Sequence, residues 1–119
     1  MKVQMQQKGG IVFFQTKILD QLSEFYIHKV GCELWLNQGG CKIFQFENML
    51  FGFCQRDQVD DQGMITFFYS SHEEVNQMYR LLKDIAVSEP KDNPKYKIYH
   101  FFAKDPEGRN IEFQYFWEE

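Results

Sequence analysis

Near the carboxyl end, the run FFAKDPEGRNIEFQYF, Phe101 to Phe116, carries a charged Glu112 between Ile111 and Phe113. Asn110, Glu112 and Gln114 alternate with Ile111, Phe113 and Tyr115, the period-two pattern of a strand with one face on a hydrophobic layer. Glu112 therefore projects from the opposite face. The preceding Asp105-Pro106-Glu107-Gly108 is turn chemistry, because proline presets φ and glycine accepts a positive φ. It predicts a hairpin whose other strand carries His100. A carboxylate and an imidazole on paired strands can share a face and act as an acid–base pair. The turn leaves the register open, so His100 has a second reading, a histidine hydrogen-bonded within the sheet.

The remaining reactive side chains point to less. His28 and His72 fall in helical stretches and read as surface residues. Cys32, Cys41 and Cys54 are an odd number with no Cys-x-x-Cys pair, which predicts reduced, buried thiols in a cytoplasmic protein. The amino-terminal MKVQMQQKGG has no apolar core of signal-peptide length, and no apolar run is long enough to span a bilayer. A net charge of −4 with no basic cluster argues against a nucleic-acid partner.

These residues must be positioned by a chain of 119 residues, the size of one domain. An internal repeat organises it. IVFFQTKILDQLSEFY from Ile11 and MITFFYSSHEEVNQMY from Met64 align with Val12 on Ile65, Phe14 on Phe67, Leu22 on Val75 and Tyr26 on Tyr79. Each opens as a strand and passes into an amphipathic helix, over 17–30 and 71–84. Ser71 with Glu74 forms a capping-box pattern at the second helix. Strand-like runs follow the first helix at 32–36, 41–46 and 49–55, broken by Gly39-Gly40 and Glu47-Asn48. After the second, Ala86-Val87 is a weak strand, SEPKDNPKYK a loop, and the closing hairpin completes the unit. The pattern is βαβββ twice, an α+β fold with module one over about 10–57, a polar linker, and module two over about 63–117.

Two such units, with Phe25-Tyr26 ending the first helix and DPEGRNIEF closing the second, resemble the vicinal oxygen chelate superfamily of glyoxalases, bleomycin-resistance proteins and dioxygenases. The resemblance implies two modules of curved strands with helices outside, forming a partly closed mixed sheet around a ligand cavity. It also implies that the final-strand carboxylate, here Glu112, belongs to a set of three or four ligands for a divalent metal. A divalent ion needs several converging donors. The other family positions fall on Ile11, on Cys54 or Gln55, and on Met64, so Ile11 and Met64 replace two expected donors. The expectation is no metal cofactor. The alternative is a divalent ion held by Glu112 with Gln55 and Cys54, and His100 as half of an unusual site.

Strand parity and the family register together give the cavity lining: Phe13 and Gln15 from the first strand, Met64, Thr66 and Phe68 from the fifth, and Asn110, Glu112 and Gln114 from the last. Aromatic walls with a few polar anchors suit a small organic molecule. An ionised Glu112 enclosed there needs a partner, and Gln15, Gln114, His100 or a cationic ligand is available. The expected function is small-molecule binding by a homodimer without a metal, with Glu112 and His100 the candidates for any catalysis. The alternative is a metal-dependent lyase, isomerase or thiol transferase.

Overall fold

The computed structural model describes residues 5–117; the readings of the amino terminus and of a domain over 1–119 extend to residues outside these. The first unit runs β1 (Ile11–Thr16), α1 (Leu19–Phe25), a wider-wound turn (Tyr26–Val30), β2 (Glu33–Asn37), β3 (Cys41–Phe46) and β4 (Met49–Gln55). The second runs β5 (Met64–Tyr69), α2 (His72–Leu81), a short 3-10 turn (Lys83–Ile85), β6 (Lys91–Asn93), β7 (Ile98–Lys104) and β8 (Asn110–Phe116). Each unit forms its own four-stranded mixed sheet, in the orders β1-β4-β3-β2 and β5-β8-β7-β6. The parallel pairs are β1 with β4 and β5 with β8. The twofold βαβββ repeat is thus the architecture of the molecule.

Local chemistry explains the boundaries. Ser71 adopts extended φ/ψ and its hydroxyl accepts from the Glu74 N–H at 3.2 Å, which starts α2. The Glu74 carboxylate returns to the Ser70 and Ser71 hydroxyls, each 2.9 Å away, and these bonds hold it below the usual carboxylate range. In the last hairpin the Gly108 N–H donates to the Asp105 carbonyl at 2.9 Å, and Gly108 takes φ of 82°, which a side chain resists. The edge strand of the second sheet departs from expectation. It forms at Lys91–Asn93, inside the stretch read as loop, while Ala86 makes only an isolated bridge to Ala103 and Val87 lies exposed. Three residues are enough for an edge strand, and Pro90 before it and Pro94 after it confine it there.

One core serves both sheets. Tyr26 of the first unit meets Phe44, Phe51 and Phe53 of its own sheet and Phe67 of β5, and Phe46 packs edge-on against Phe67 at 4.8 Å. The alternate residues of each strand point the other way, and there Ile11, Phe13, Met64 and Phe68 are exposed. Each sheet therefore has a core face and an open face. The radius of gyration is 15.6 Å, against about 13–14 Å for a compact chain of this length. The exposed residues 5–10 before β1 add to that extent.

A buried polar network joins the units at the Asp-Pro turn. Asp105 accepts from the Tyr26 hydroxyl and the Arg109 guanidinium, both at 2.7 Å, and from the Glu107 and Arg109 N–H groups. Arg109 is fully buried; it donates to the Asp60 carbonyl and lies over the Phe53 and Phe14 rings. Burial works against its charge, but the Asp105 carboxylate outweighs it and the guanidinium stays protonated. The same carboxylate, after burial, raises the Tyr26 hydroxyl well above the usual tyrosine range.

Candidate functional site

Glu112 sits in the middle of β8, paired with Thr66 of β5 on one side and Phe102 of β7 on the other. Residues directly opposite share a face, so Met64, Thr66, Ile98, His100, Phe102, Gln114 and Phe116 accompany it on the open face. Although that face meets solvent, Glu112 and His100 are each only 6% exposed. The carboxylate is satisfied from its own sheet. Thr66 Oγ1 donates to Oε1 at 2.9 Å, and His100 Nδ1 lies 2.6 Å from Oε2. His100 stands diagonally across the β7–β8 ladder, and Phe102 meets its ring at 5.0 Å.

The pair forms the polar floor of a recess of about 440 Å³, walled by Met64, Ile98, Phe102 and Phe116, with Tyr96 and Asn93 at its edge. With Nδ1 turned to the carboxylate, Nε2 is the nitrogen left for a ligand. A carboxylate fixing an imidazole in this way sets its tautomer, which suits it to accept or deliver a proton at the other nitrogen. Other recesses gather around the Glu47-Asn48 turn, with Phe46, Phe68 and Glu74. None of them contains a paired, buried acid and base.

The structure distributes the anticipated lining unevenly. Met64, Glu112 and Gln114 line the recess, and Thr66 supports it by holding Glu112. Phe68 lies on the same face but packs edge-on against Phe116, and Asn110 accepts from Lys104 at 2.6 Å. Phe13 and Gln15 occupy the open face of the other sheet. Gln15 is held by Asp60 through its N–H at 2.7 Å and its side-chain amide at 3.3 Å, so it is not a partner of Glu112. The reason is the shared core: the helix-bearing faces of the two sheets meet inside the chain, which turns the open faces outward. Asp60 and Arg109, which tie the units together beside Gln15, gave no sign in sequence beyond a polar linker and a charged turn residue.

The cysteines correct the expectation of reduced thiols. Cys41 and Cys54 form a disulfide, while Cys32 is buried and free. The physical reason is register: β3 and β4 place Cys41 directly opposite Cys54. That bond removes Cys54 from the metal donors considered above. Gln55 is also committed, accepting from the Leu19 N–H and donating to the Lys17 carbonyl. Among the described residues no three His, Cys, Asp or Glu side chains converge as a metal site. Ile11 and Met64 supply no hard donor, so the residues present do not fit a divalent ion.

The fold is that of the glyoxalase/bleomycin-resistance structures. A glyoxalase/bleomycin resistance protein/dioxygenase from Alicyclobacillus acidocaldarius matches with a TM-score of 0.75 and 18% identity, over 93% of this chain and 92% of that one. A family enzyme of the same description from Burkholderia phytofirmans PsJN matches at 0.76 and 14%, over 88% and 95%. Lactoylglutathione lyase from Agrobacterium tumefaciens matches at 0.72 and 18%, over 88% and 90%. No protein-family model matches the sequence, and no curated protein does. At these identities the likeness is one of fold. No helix among the described residues is long and apolar enough to cross a membrane.

Proposed function

We propose that this protein binds a small organic molecule in the recess over Glu112 and His100, without a metal, as a homodimer in which a second copy covers the exposed apolar side chains of the open faces and leaves the Cys41–Cys54 end of the first sheet accessible. The observation that carries the reading is the buried Glu112–His100 pair at the floor of a largely apolar recess. Burying two ionisable groups on a sheet face costs free energy unless each is satisfied, and here Thr66, Glu112 and His100 satisfy one another. Such a floor offers a ligand an oriented polar handle, Nε2, with the Gln114 amide beside it, amid aromatic area. Exposed Ile11, Phe13, Met64 and Phe68 on the open faces favour a covering partner. In the dimer we propose, the first sheet of one copy faces the second sheet of the other, and the twofold axis repeats that contact.

A second reading rests on the 2.6 Å contact itself: His100 acts as a metal-independent general base or acid on the bound molecule, with Glu112 orienting it. The metal-dependent lyase, isomerase or thiol transferase is disfavoured by the donor set. A thermal-shift screen of metabolites and organic cations, with light scattering for the dimer, tests the binding reading. For any ligand found, Glu112→Gln and His100→Gln should each weaken binding about tenfold or more, the worth of one charge-assisted hydrogen bond. Unchanged affinity in both variants would move the site elsewhere, and turnover of the ligand lost in both would select the catalytic reading.

A further inference from the structure

The repeat places a second reactive group where the first has its acid–base pair. In the second sheet Thr66 pairs with Glu112, and two residues along β8 Gln114 pairs with His100. In the first sheet Phe13 pairs with Gly52, and two residues along β4 Cys54 pairs with Cys41. The disulfide thus occupies the station of His100 and Gln114, on the same open face of its own sheet. It is half-buried, outside the shared core.

Its strands do not depend on it. β3 and β4 pair continuously from Cys41 and Cys54 to Phe46 and Met49, and the Gln55 N–H donates to the Gly40 carbonyl just beyond. That bond makes Gly40 and Gln55 a hydrogen-bonded pair and Cys41 and Cys54 the adjacent non-bonded pair, in which side chains stand closest. On its other edge β4 is paired with β1 along its length, Gln15 lying beside Cys54. The ladder pairs the two backbones at these positions, with the Cα atoms 4.0 Å apart.

We propose that Cys41–Cys54 is an exchangeable redox site: a small-molecule thiol opens it and a small-molecule disulfide recloses it, while the sheet stays as it is. The thiolate attacks one cysteine sulfur, the S–S bond breaks, and its electron pair leaves on the other cysteine as thiolate. A second thiolate then attacks the small-molecule sulfur of the mixed disulfide and frees the second cysteine. Two small thiols lose two electrons and two protons, and the protein gains them as two thiols; reclosure reverses each step. Cys32 does not compete, since it is buried in the core and burial pushes its thiol up to about 12.

The test equilibrates the full chain with defined mixtures of reduced and oxidised glutathione, quenches with acid, and maps each cysteine by alkylation and mass spectrometry. Cys41 and Cys54 should titrate together in one two-electron transition, with Cys32 labelled only after unfolding and an unchanged far-UV spectrum throughout. Cys41→Ser and Cys54→Ser should each capture glutathione on the remaining cysteine of the pair in the folded protein. A disulfide that stays closed in excess reduced glutathione until urea unfolds the chain would overturn the proposal, as a fixed cross-link. So would a pair that never closes in excess oxidised glutathione, or a chain that unfolds on reduction.

Discussion

Replacing Asp105 with Asn tests whether the turn network holds the two units together. The side chain is fully buried and accepts four hydrogen bonds, two at each oxygen. Asn keeps the shape and one oxygen, so the Glu107 and Arg109 N–H groups stay satisfied. The amide nitrogen in the other place faces two donors, and the Arg109 charge is left with Glu107 at 3.2 Å as its only carboxylate partner among the described residues. Removing one member of a buried pair costs about 3–5 kcal/mol, and the remaining Glu107 contact puts the expectation at about 3 kcal/mol. Tyr26→Phe deletes a single bond to a charged acceptor and should cost about 1.5–2 kcal/mol. Urea unfolding with the disulfide intact measures both, as shifts in midpoint at constant slope. In an Arg109→Met background the Asp105→Asn loss should shrink, because the stranded charge is gone. A cost for Asp105→Asn below that of Tyr26→Phe, or no coupling to Arg109, would refute the argument.

Two further outcomes follow from packing and protonation. At Gly52 an added Cβ would stand 2.6 Å from Cε1 of Phe13 and 3.1 Å from the Lys42 carbonyl, so Gly52→Ala should cost about 1–2 kcal/mol. Phe13→Ala should recover most of that loss by double-mutant unfolding. In alkali, Cys32 and Tyr26 keep protons in the folded chain that they release on unfolding once pH passes their ordinary values, 9.0 and 10.0. Stability is therefore fully present below about pH 9 and falls as pH rises, by up to about 1.4 kcal/mol per pH unit for each group. Cys32→Ala should remove one such proton from the slope of urea midpoint against pH between 9 and 11.

The sequence exposed what depends on neighbours along the chain. Ser71-x-x-Glu74 marked the start of α2, Glu47-Asn48 marked a turn between β3 and β4, and the alternation around Glu112 placed it on the open face. The disulfide was also within reach: counting outward in equal steps from Glu47-Asn48 pairs Phe46 with Met49 and, further on, Cys41 with Cys54. An odd cysteine count in a chain without other disulfide signals hid it. The partner of Glu112 depended on the β7–β8 register, which a turn of this length leaves open. Arg109 and Asp60 were illegible for a different reason. Charged residues in a turn and a polar linker look solvated until tertiary packing brings Asp105, Tyr26 and Gln15 against them.

That junction also sets an order of assembly. Tyr26 is synthesised early, and its hydroxyl must be enclosed with the rest of the first core, yet the groups that satisfy it and brace Asp60 come from Asp105 and Arg109. Until those residues leave the ribosome, the Tyr26 hydroxyl of the first unit and the Asp60 carbonyl of the linker lack their native partners. The strands of that unit can pair, but its interior cannot close on favourable terms. The two halves are alike in pattern, yet the later one carries the bolt for the earlier, so the first core is completed only when the second unit is in place.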